Sequence, residues 1–272
     1  MDGIYNSYDI IGDIAIIRSR KYGKIIAHKI MEIHKNVKTV LAQTSPVRGD
    51  YRLRKLDFVA GEDKTRTVHR EFGCLFYVDV QECYFSPRLL HERMRIAKQV
   101  RSREIIVNMF AGVGCFSIVI AKHTQAKKIY SIDISPVAIH LMKKNVLLNK
   151  VHGKVIPLQG DAREVIEKEL YGTADRVLMP LPQKAIQYLP FSLLALKKEG
   201  GWIHDYLLEH AEKDEDPIQK ARRRVSEQLR SLDMDMAFEF DFARVVRTTG
   251  PRWYQIVLDI HIIPRDRKFE NV

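Results

Sequence analysis

The segment of residues 105–117, IIVNMFAGVGCFS, constrains the fold more than any other part of the chain. A short apolar run rich in β-branched residues breaks into a turn that holds two glycines, and an apolar helical pattern follows. This order is typical of a parallel α/β sheet that presents a nucleotide-like ligand at the carboxyl end of a strand. The segment therefore predicts an α/β fold with a ligand site directly after this strand.

Two acidic residues follow the glycine turn, each near the end of a later strand-like run. Asp133 ends the next apolar run, about 20 residues past the turn, where a carboxylate in such a unit binds ribose hydroxyls. Asp161 follows Gly160 after a third run, and its carboxylate could accept a hydrogen bond from an adenine amine. Glycine turns also form for backbone reasons alone, so the two spaced acids are what favour a nucleotide-like cofactor.

Composition limits the class of protein. The 272 residues are 46% hydrophobic, which is enough for one sizeable domain and a smaller one. Lys and Arg outnumber Asp and Glu by 45 to 34, and this excess fits an anionic partner such as nucleic acid or a surface of mixed charge. The three cysteines form no metal-binding pattern, so no metal is predicted. Without a bilayer-spanning stretch or a signal segment, the sequence predicts a cytoplasmic protein with no membrane partner.

Two patterns divide the chain. Residues 1 to about 80 hold strand-like runs separated by basic turns, around one helix predicted at residues 22–35. From about residue 88, strands and helices alternate, which is typical of a parallel sheet. In this part helices are predicted at 87–100, 136–150 and 184–198, and strands at 105–109, 128–133, 154–158, 175–179 and 201–207. The charged stretch 209–232 predicts a loop and an amphipathic helix, whose arginines 222–224 form a solvated face or touch phosphate.

The last two apolar runs, residues 236–246 and 252–263, flank a Thr-Thr-Gly-Pro turn and predict an antiparallel hairpin. Alternating strands and helices that finish in such a hairpin are the outline of a class I methyltransferase. We therefore predict an α/β fold: a Rossmann-like class I methyltransferase sheet with a terminal antiparallel hairpin, preceded by a smaller α+β domain. The smaller domain is predicted at residues 1–85, contributing to substrate binding, and the cofactor-binding domain at 86–272.

Five blocks of sequence carry more specific information. They are SYDIIGDIAII (7–17), YRLRKLDFVAGED (51–63), VDVQECYFSPRLLHER (78–93), NMFAGVGCFS (108–117) and MPLPQKA (179–185). In this order they resemble the archaeal and eukaryotic tRNA (guanine-N1)-methyltransferases that act at position 37, and the resemblance covers nearly the whole chain. It implies S-adenosylmethionine as the cofactor, the anticodon loop of tRNA as the partner, and methyl transfer to N1 of guanosine 37.

The resemblance also implies three catalytic residues. Guanine N1 carries a proton that must leave as the new bond forms, and Glu92 is the candidate base. Charge then develops on guanine O6, where Arg52 is the implied cationic donor and Tyr84 positions the base or the arginine. Arg54 would face the same side of a strand as Arg52, so the two arginines remain alternatives. Without the resemblance, Glu92 would be an ordinary acid in the first turn of a helix, which the helix dipole favours.

The residues implied to bind S-adenosylmethionine come from the helix after the SPRL segment and from the loops that follow the strands. They are Arg93, Phe110, Ala111, Gly112, Gly114, Asp133, Ile134, Asp161, Ala162 and Pro180. Within this set Arg93 would pair with the methionine carboxylate, Asp133 would hold the ribose, and Asp161 with Ala162 would read the adenine edge. Phe110 and Ile134 could instead be core residues.

Two residues depart from the pattern of the family. Many members have an asparagine where this chain has Pro180, and that side-chain amide can bind the target guanine. Proline has no polar side chain and no backbone N–H, so base contact here would fall to carbonyls or to neighbouring residues. Asn108 stands where an acid is commoner. These departures bear on the substrate more than on cofactor binding.

Other functions remain open at this stage. A wybutosine-pathway relative transfers the aminocarboxypropyl group of the same cofactor to carbon 7 of a tricyclic guanine derivative. That relative usually lacks the equivalents of Arg88 and Pro182, which favours methyl transfer for this chain. Some archaeal relatives also methylate carbon 7 of the wyosine intermediate, and Pro180 leaves this possibility open. From a different class, the chain could be a non-catalytic RNA-binding scaffold, against which the intact Glu92 and Asp133 argue.

Basic side chains would hold RNA chiefly through its phosphates, so binding should weaken steeply with salt. Many family members carry a small extra domain ahead of the first block, which contacts the outer corner of tRNA. This chain starts almost at that block. We therefore expect it to depend less on the whole tRNA shape than those relatives do. The sequence gives no oligomeric state.

Overall fold

A computed structural model describes residues 8–18, 21–232 and 236–264 of the chain. Ser7, which opens the first of the five blocks, lies outside the described residues. The chain forms two compact units that interleave along the sequence. Unit 1 is Met1–Lys98, Gly112–His123 and Ile134–His152, and unit 2 is Gln99–Ala111, Thr124–Asp133 and Gly153–Val272. The domain boundary expected at residue 85 stays a prediction.

The amino-terminal part of unit 1 is a mixed four-stranded sheet with the strand order β1-β2-β3-β4. Its strands are β1 (Tyr8–Ile11), β2 (Ile14–Ile17), β3 (Thr39–Gln43) and β4 (Leu56–Gly61). Helix α1 (Gly23–Ile33) joins β2 to the parallel strand β3, and its apolar residues Ile26 and Ile30 pack in one cluster with Val40 of the sheet. The helix predicted at residues 22–35 is thus confirmed.

A two-stranded hairpin, β5 (Arg66–Glu71) and β6 (Cys74–Asp79), follows the four-stranded sheet. Two asparagines bind the backbone of β6. Asn145 accepts a hydrogen bond from the Tyr77 N–H at 2.7 Å and donates to its carbonyl at 3.1 Å. Asn149 makes the same pair of bonds with Leu75, at 2.8 and 2.6 Å. These amides satisfy backbone groups that an edge strand would otherwise leave without partners.

The other helices that begin in the described part of unit 1 are α2 (Leu90–Gln99), α3 (Cys115–His123) and α4 (Pro136–Leu148). A short 3-10 turn, Pro87–Leu89, precedes α2, so the helix predicted at 87–100 starts with one tighter turn. Helix α4 begins at a capping serine, since Ser135 Oγ accepts a hydrogen bond from the Ala138 N–H at 3.2 Å. A serine at this position satisfies one of the free N–H groups of the first helical turn.

Unit 2 is built on a seven-stranded sheet with the order β12-β13-β11-β10-β7-β8-β9. The strands are β7 (Ile105–Asn108), β8 (Lys128–Asp133), β9 (Val155–Gln159), β10 (Arg176–Met179), β11 (Gly201–His210), β12 (Met236–Gly250) and β13 (Trp253–Pro264). Strands β7 to β11 are parallel, β13 is antiparallel to β11, and β12 pairs with β13. The predicted parallel sheet with a terminal antiparallel hairpin is confirmed.

Within the described residues, the helices of unit 2 are α5 (Ala162–Val165), which continues into a π-helical turn at Ile166–Leu170, α6 (Ala185–Ala195) and α7 (Pro217–Ser231). Leu189 of α6 and Val225 of α7 are fully buried in one cluster with Ile203 of the sheet. None of the helices in the described ranges is long and apolar enough to cross a membrane.

A buried polar network lies within the sheet of unit 2. Arg176 donates to both carboxylate oxygens of Glu104, at 2.8 and 3.0 Å, and to His204 Nε2 at 2.6 Å. Because a guanidinium only donates, Nε2 accepts, and His204 Nδ1 donates to Asp259 at 2.6 Å. The imidazole is therefore held as one neutral tautomer. Each buried charge has a hydrogen-bonded partner, as burial of charge requires.

Candidate functional site

The strand order of unit 2 defines where a ligand of this sheet binds. The chain runs from β7 outward to β9, then returns to place β10 on the other side of β7. Ligands of open α/β sheets bind outside the carboxyl ends of the strands at such a reversal. Four strands end there at Asn108, Asp133, Gln159 and Met179. The predicted cofactor residues of unit 2 all lie at or directly after these strand ends.

Backbone hydrogen bonds fix the loop after β7. The Met109 N–H donates to the carbonyl of Leu178 in β10 at 3.0 Å, and the Ala111 N–H donates to that of Ile132 in β8 at 2.8 Å. The loop is thus tied to both neighbouring strands. A loop held in this way keeps its shape without a ligand, which lowers the entropy cost of binding.

Gly112 and Gly114 follow this loop, and a side chain is excluded at the two positions for different reasons. Both adopt left-handed backbone conformations, with φ of 57° at Gly112 and 93° at Gly114. A Cβ at Gly114 would lie 2.8 Å from Met142 Cγ, so packing excludes a side chain there. A Cβ at Gly112 would meet no atom closer than the Tyr84 carbonyl oxygen, at 4.0 Å. Gly112 is therefore constrained by its conformation and leaves open space beside the backbone.

The Asp161 carboxylate accepts hydrogen bonds from other residues of unit 2. It caps α5 through the Arg163 N–H at 2.9 Å, accepts from the Arg163 guanidinium at 2.7 Å, and accepts from the Tyr188 hydroxyl at 3.0 Å. Partial burial raises the pKa of this carboxyl, but the hydrogen bonds from Arg163 and Tyr188 outweigh burial and hold the pKa below its ordinary value. Asp161 is therefore an ionised acceptor.

Tyr188 also contacts Phe110, with the two rings edge to face at 5.1 Å between centroids. The sequence did not single out Tyr188, because it lies within the apolar pattern of α6. Phe110 is half-buried, and Asp133 is likewise partly accessible. Ala162 is buried at the start of α5, and Pro180 is half-buried after β10.

Ile134, assigned to unit 1, directly follows Asp133 along the chain. Its side chain is 43% exposed, which is unusual for a core isoleucine. The alternative that Ile134 is only a core residue is therefore disfavoured, and an apolar side chain that remains accessible is suited to pack against an aromatic ligand.

Arg52 and Tyr84 are brought together in unit 1. The guanidinium carbon of Arg52 lies 4.1 Å from the centroid of the Tyr84 ring, within the range of a cation–π contact. Neither Arg52 nor Arg54 lies in a strand, so the argument that they share a strand face does not apply. Arg52 has a left-handed backbone, with φ of 55°. Arg54 instead donates to Gln43 Oε1 at 3.1 Å, and burial lowers its pKa.

Glu92 lies in the first turn of α2, and only 1% of its side chain is exposed. Arg95, one turn further along the helix, donates to both carboxylate oxygens through Nε at 3.2 and 3.1 Å. An acid that merely complements the helix dipole is ordinarily solvated. The burial of Glu92 therefore distinguishes it from the ordinary first-turn acid that the sequence alone would suggest.

Arg93, the next residue, forms a buried ion pair that the sequence did not reveal. Its NH1 donates to Glu71 Oε2 at 2.5 Å, and its NH2 donates to the Ser86 carbonyl at 2.7 Å. The Nε of Arg93 is buried and has no hydrogen-bond partner among the described residues. Burying an unmatched donor is costly, which suits this position to an additional acceptor such as a carboxylate. Glu71 was missed because β5 was not predicted.

Asp205, in β11, is another buried acid that the sequence did not reveal. It pairs in register with Met179, the last residue of β10, and with Leu258 of β13. Both carboxylate oxygens are buried and lack hydrogen-bond partners within the described ranges. Burial raises the pKa of Asp205 to about 7, although the charge of Arg224 opposes the increase. The alternation of strand GWIHDYL could have placed this side chain with Ile203, facing inward.

The cysteines and acids provide no metal centre in the described parts of the chain. No group of three or more His, Cys, Asp or Glu side chains there is arranged to hold a metal ion. The three cysteines are buried. Burial raises the pKa of Cys74 to about 11 and that of Cys115 to about 12, so both are neutral thiols.

Comparison with known families gives two matches that together span most of the chain. The TRM5/TYW2 methyltransferase domain matches residues 67–237, and the TYW2 N-terminal domain matches residues 1–65. The chain is 40% identical over 260 residues to tRNA (guanine(37)-N(1))-methyltransferase Trm5b of Pyrococcus abyssi, covering 94% of this chain and 74% of the relative. It is 36% identical over 263 residues to tRNA 4-demethylwyosine(37)-methyltransferase Taw21 of Saccharolobus solfataricus, covering 94% of both.

The chain is also similar to solved structures of Trm5 and TYW2 proteins. The complex of aTrm5 with tRNALeu superposes with a TM-score of 0.80 at 38% identity, covering 95% of this chain and 72% of that one. Methanocaldococcus jannaschii TYW2 in complex with AdoMet superposes with a TM-score of 0.69 at 27% identity, covering 95% of this chain and 100% of that one.

Proposed function

Because the chain belongs to the TRM5/TYW2 methyltransferase family, we propose that it transfers the methyl group of S-adenosylmethionine to N1 of guanosine 37 in tRNA. The observation that supports this most is the burial of Glu92 in a unit that also holds the Arg52–Tyr84 pair. An acid that only complemented the helix dipole would stay solvated, because burial of charge has a free-energy cost.

The residues of unit 2 fit the proposed cofactor by their chemistry. Asp133 is a partly accessible carboxylate at a strand end, suited to accept hydrogen bonds from ribose hydroxyls. Phe110, packed against Tyr188, offers an apolar surface for an adenine ring. Asp161 and Ala162 lie at the start of α5, and we propose that they hydrogen-bond to the edge of the adenine ring. The Arg163 guanidinium would then release Asp161 and turn toward solvent.

In unit 1 we assign Arg93 to the methionine carboxylate, because its Nε is a buried donor without an acceptor among the described residues. Gly112 and Gly114 are assigned to line the cofactor with backbone rather than bulky side chains, and we make the same assignment for Ala111 of unit 2. Ile134 is assigned to pack against adenine, since its side chain is accessible. Pro180, in unit 2, is also assigned to cofactor binding.

S-adenosylmethionine supplies a methyl carbon bonded to a positively charged sulfur, which makes that carbon open to attack by a nucleophile. We propose that Glu92 accepts the N1 proton of guanine as N1 attacks the methyl carbon; the methyl–sulfur bond would break and leave its electron pair on sulfur, giving S-adenosylhomocysteine. Arg52 stabilises the negative charge that develops on O6, and the Tyr84 ring holds the guanidinium in place. Arg54 is the weaker candidate because it is engaged with Gln43.

Replacing Asp133 by Ala tests the cofactor assignment. We expect the dissociation constant for S-adenosylmethionine to rise about 10- to 100-fold, because hydrogen bonds to a charged group contribute about 1.5–3 kcal/mol. Isothermal titration calorimetry of the purified protein measures it. Asp214→Ala, at an exposed aspartate, is the matched control and should leave the constant unchanged. An unaltered constant in the Asp133 variant would refute the ribose role.

A second candidate is methylation of carbon 7 of the tricyclic 4-demethylwyosine. Two observations favour it: the similarity to Taw21 extends over 94% of both chains, and Pro180 removes the amide that many relatives use toward guanine. Supplying tRNA that carries 4-demethylwyosine and measuring methyl incorporation distinguishes a single activity from two. Incorporation into this tRNA as well as into unmodified tRNA would indicate a bifunctional enzyme.

The main proposal is tested with two tRNA transcripts that differ only at position 37. With cofactor tritiated on its methyl group, we expect label to enter the transcript with guanosine 37 and not the one with adenosine 37. Equal labelling of the two would contradict the site assignment, and labelling of neither would contradict the activity on unmodified tRNA. We also propose that the protein is located in the cytoplasm, where the proposed substrate tRNA is available.

A further inference from the structure

Unit 1 contains a cleft of about 640 Å³ that none of the roles above uses. It lies beside the turn between β1 and β2 and strand β5, and its lining includes Gly12, Asn36, Arg66, Arg70 and Tyr77. Pockets for small ligands typically measure about 300–1,000 Å³. The cleft is therefore large enough for a nucleotide.

The floor of the cleft is fixed by hydrogen bonds between the β1–β2 turn and β5. The Gly12 N–H donates to His69 Nδ1 at 3.2 Å, and the Asp13 N–H donates to Thr67 Oγ1 at 3.1 Å. Thr67 Oγ1 in turn donates to Asp13 Oδ1 at 2.7 Å. A Cβ at Gly12 would lie 2.1 Å from Thr67 Oγ1, so this close approach requires glycine. The cleft is thus a built feature with little freedom to collapse.

The acidic groups beside the cleft are paired with cations. Asp13 forms an ion pair with Lys64 at 2.8 Å, and Asp79 forms one with Arg66 at 3.0 Å. The Arg66 side chain remains 69% exposed, so its other N–H groups are accessible. Lys64 is shared with the exposed Glu62, at 2.7 Å, so these three acids and two cations together carry one negative charge.

Among the described residues, two cations near the cleft have no acidic partner: Arg70, which lines it, and Lys144, which contacts the lining residue Tyr77. Arg70 is exposed, lies on the same face of β5 as Arg66, and has no ion-pair partner among the described residues. Lys144 is exposed, and its Nζ lies 3.4 Å from the centroid of the Tyr77 ring. Val68, between the two arginines, is 40% exposed and adds an apolar contact. Cations that flank an aromatic and an aliphatic side chain are suited to a phosphate joined to a sugar and a base.

We propose that this cleft binds a nucleotide of the tRNA outside position 37, with Arg70 and Lys144 contacting its phosphate and Tyr77 and Val68 contacting its sugar or base. The inference rests on the proposed function, which supplies RNA as the polyanion. The cleft would add affinity for the RNA without taking part in methyl transfer.

Equilibrium binding of full-length tRNA by fluorescence anisotropy, at several salt concentrations, tests the proposal. For Arg70→Ala we expect a dissociation constant raised about 3- to 10-fold at low salt, and a salt slope reduced by about one. Lys144→Ala should act in the same direction. Arg101→Ala, at an exposed arginine outside the cleft, is the matched control and should change the constant less than twofold. The rate of methyl transfer at saturating tRNA, and the affinity for S-adenosylmethionine, should stay unchanged in all three variants.

The outcomes separate the cleft from the proposed function. If the unaltered protein binds and methylates tRNA while Arg70→Ala and Arg101→Ala bind it equally well, the cleft proposal is overturned and the function stands. If the unaltered protein binds tRNA and Arg70→Ala binds it more weakly, but no methyl group is transferred, the cleft proposal stands and the activity does not. Absence of tRNA binding by the unaltered protein would contradict both.

Discussion

Replacing Glu92 by Gln is expected to slow methyl transfer to tRNA by two or more orders of magnitude while the affinity for S-adenosylmethionine is kept. General base assistance contributes about 10²- to 10⁴-fold to a rate, and glutamine has the same shape but cannot accept the proton. Single-turnover kinetics with saturating tRNA and cofactor measure the effect on the chemical step. Glu169→Gln, at an exposed glutamate, is the matched control and should be fully active.

The pH dependence of the same variant separates a base from a structural acid. Guanine N1 loses its proton to water only well above neutral pH, so the defect of Glu92→Gln should shrink as the pH rises. A variant harmed only by loss of the bond to Arg95 would show a defect of constant size across the pH range. Little change in rate at neutral pH would remove Glu92 from the mechanism.

The second large effect concerns stability. Asp205 has a pKa of about 7 in the folded protein, against an ordinary value of 3.8, because its carboxyl is fully buried. Between about pH 4 and pH 7, the carboxyl of Asp205 is therefore protonated in the folded state and ionised in the unfolded chain. The stability linked to this proton is complete below pH 4 and falls as the pH rises to about 7. A shift of this size corresponds to about 4 kcal/mol when the transition is complete.

Asp205→Asn removes the charge, so its free energy of unfolding should not show this loss. As the pH rises from 5 to 8, we expect the difference in free energy of unfolding between the variant and the unaltered protein to grow by about 2–3 kcal/mol in favour of the variant. Most of this change should occur below pH 7. Urea unfolding at intervals of one pH unit measures the difference. Asp214→Asn is the control, at an exposed aspartate whose replacement should give no such trend. A constant difference between Asp205→Asn and the unaltered protein would show that Asp205 is not protonated in the fold.

The sheet of unit 2 could be predicted because its pattern is local. Each parallel strand is a short apolar run, and each helix between strands has its own apolar period, so both types of element are visible within about ten residues. The glycine turn and the two spaced acids then identified the strand ends at which a ligand binds. The strands were placed to within about three residues, and the terminal hairpin was confirmed.

The elements that were missed lack such a pattern. Strand β5 reads Arg-Thr-Val-His-Arg-Glu, and its outward arginines hide the alternation of the buried Thr67 and Glu71. The short α5 and its π-helical turn hold too few residues to show a period. Asn145 of α4 and Asn149 directly after it bind β6, which no sequence pattern shows because their partners lie about 70 residues away.

For the candidate site, the sequence predicted which residues take part but not which side chains contact one another. The sequence named Arg52 and Tyr84 but could not show that their side chains stack, nor that Arg54 turns to Gln43. It named Arg93 without Glu71, its ion-pair partner 22 residues earlier. Contacts of this range depend on how strands and helices pack, which no local pattern encodes. The individual roles of the site residues stay predictions until variants are measured.

The nucleoside that the enzyme produces tests the central claim most directly. Unmodified tRNA transcript is incubated with the protein and with S-adenosylmethionine labelled at both the methyl and the carboxyl carbon, and the digested nucleosides are identified by mass spectrometry. The account predicts N1-methylguanosine at position 37 that carries only the methyl label. A product that carries the carboxyl label, a methyl group on another atom or position, or no labelled nucleoside at all would contradict it.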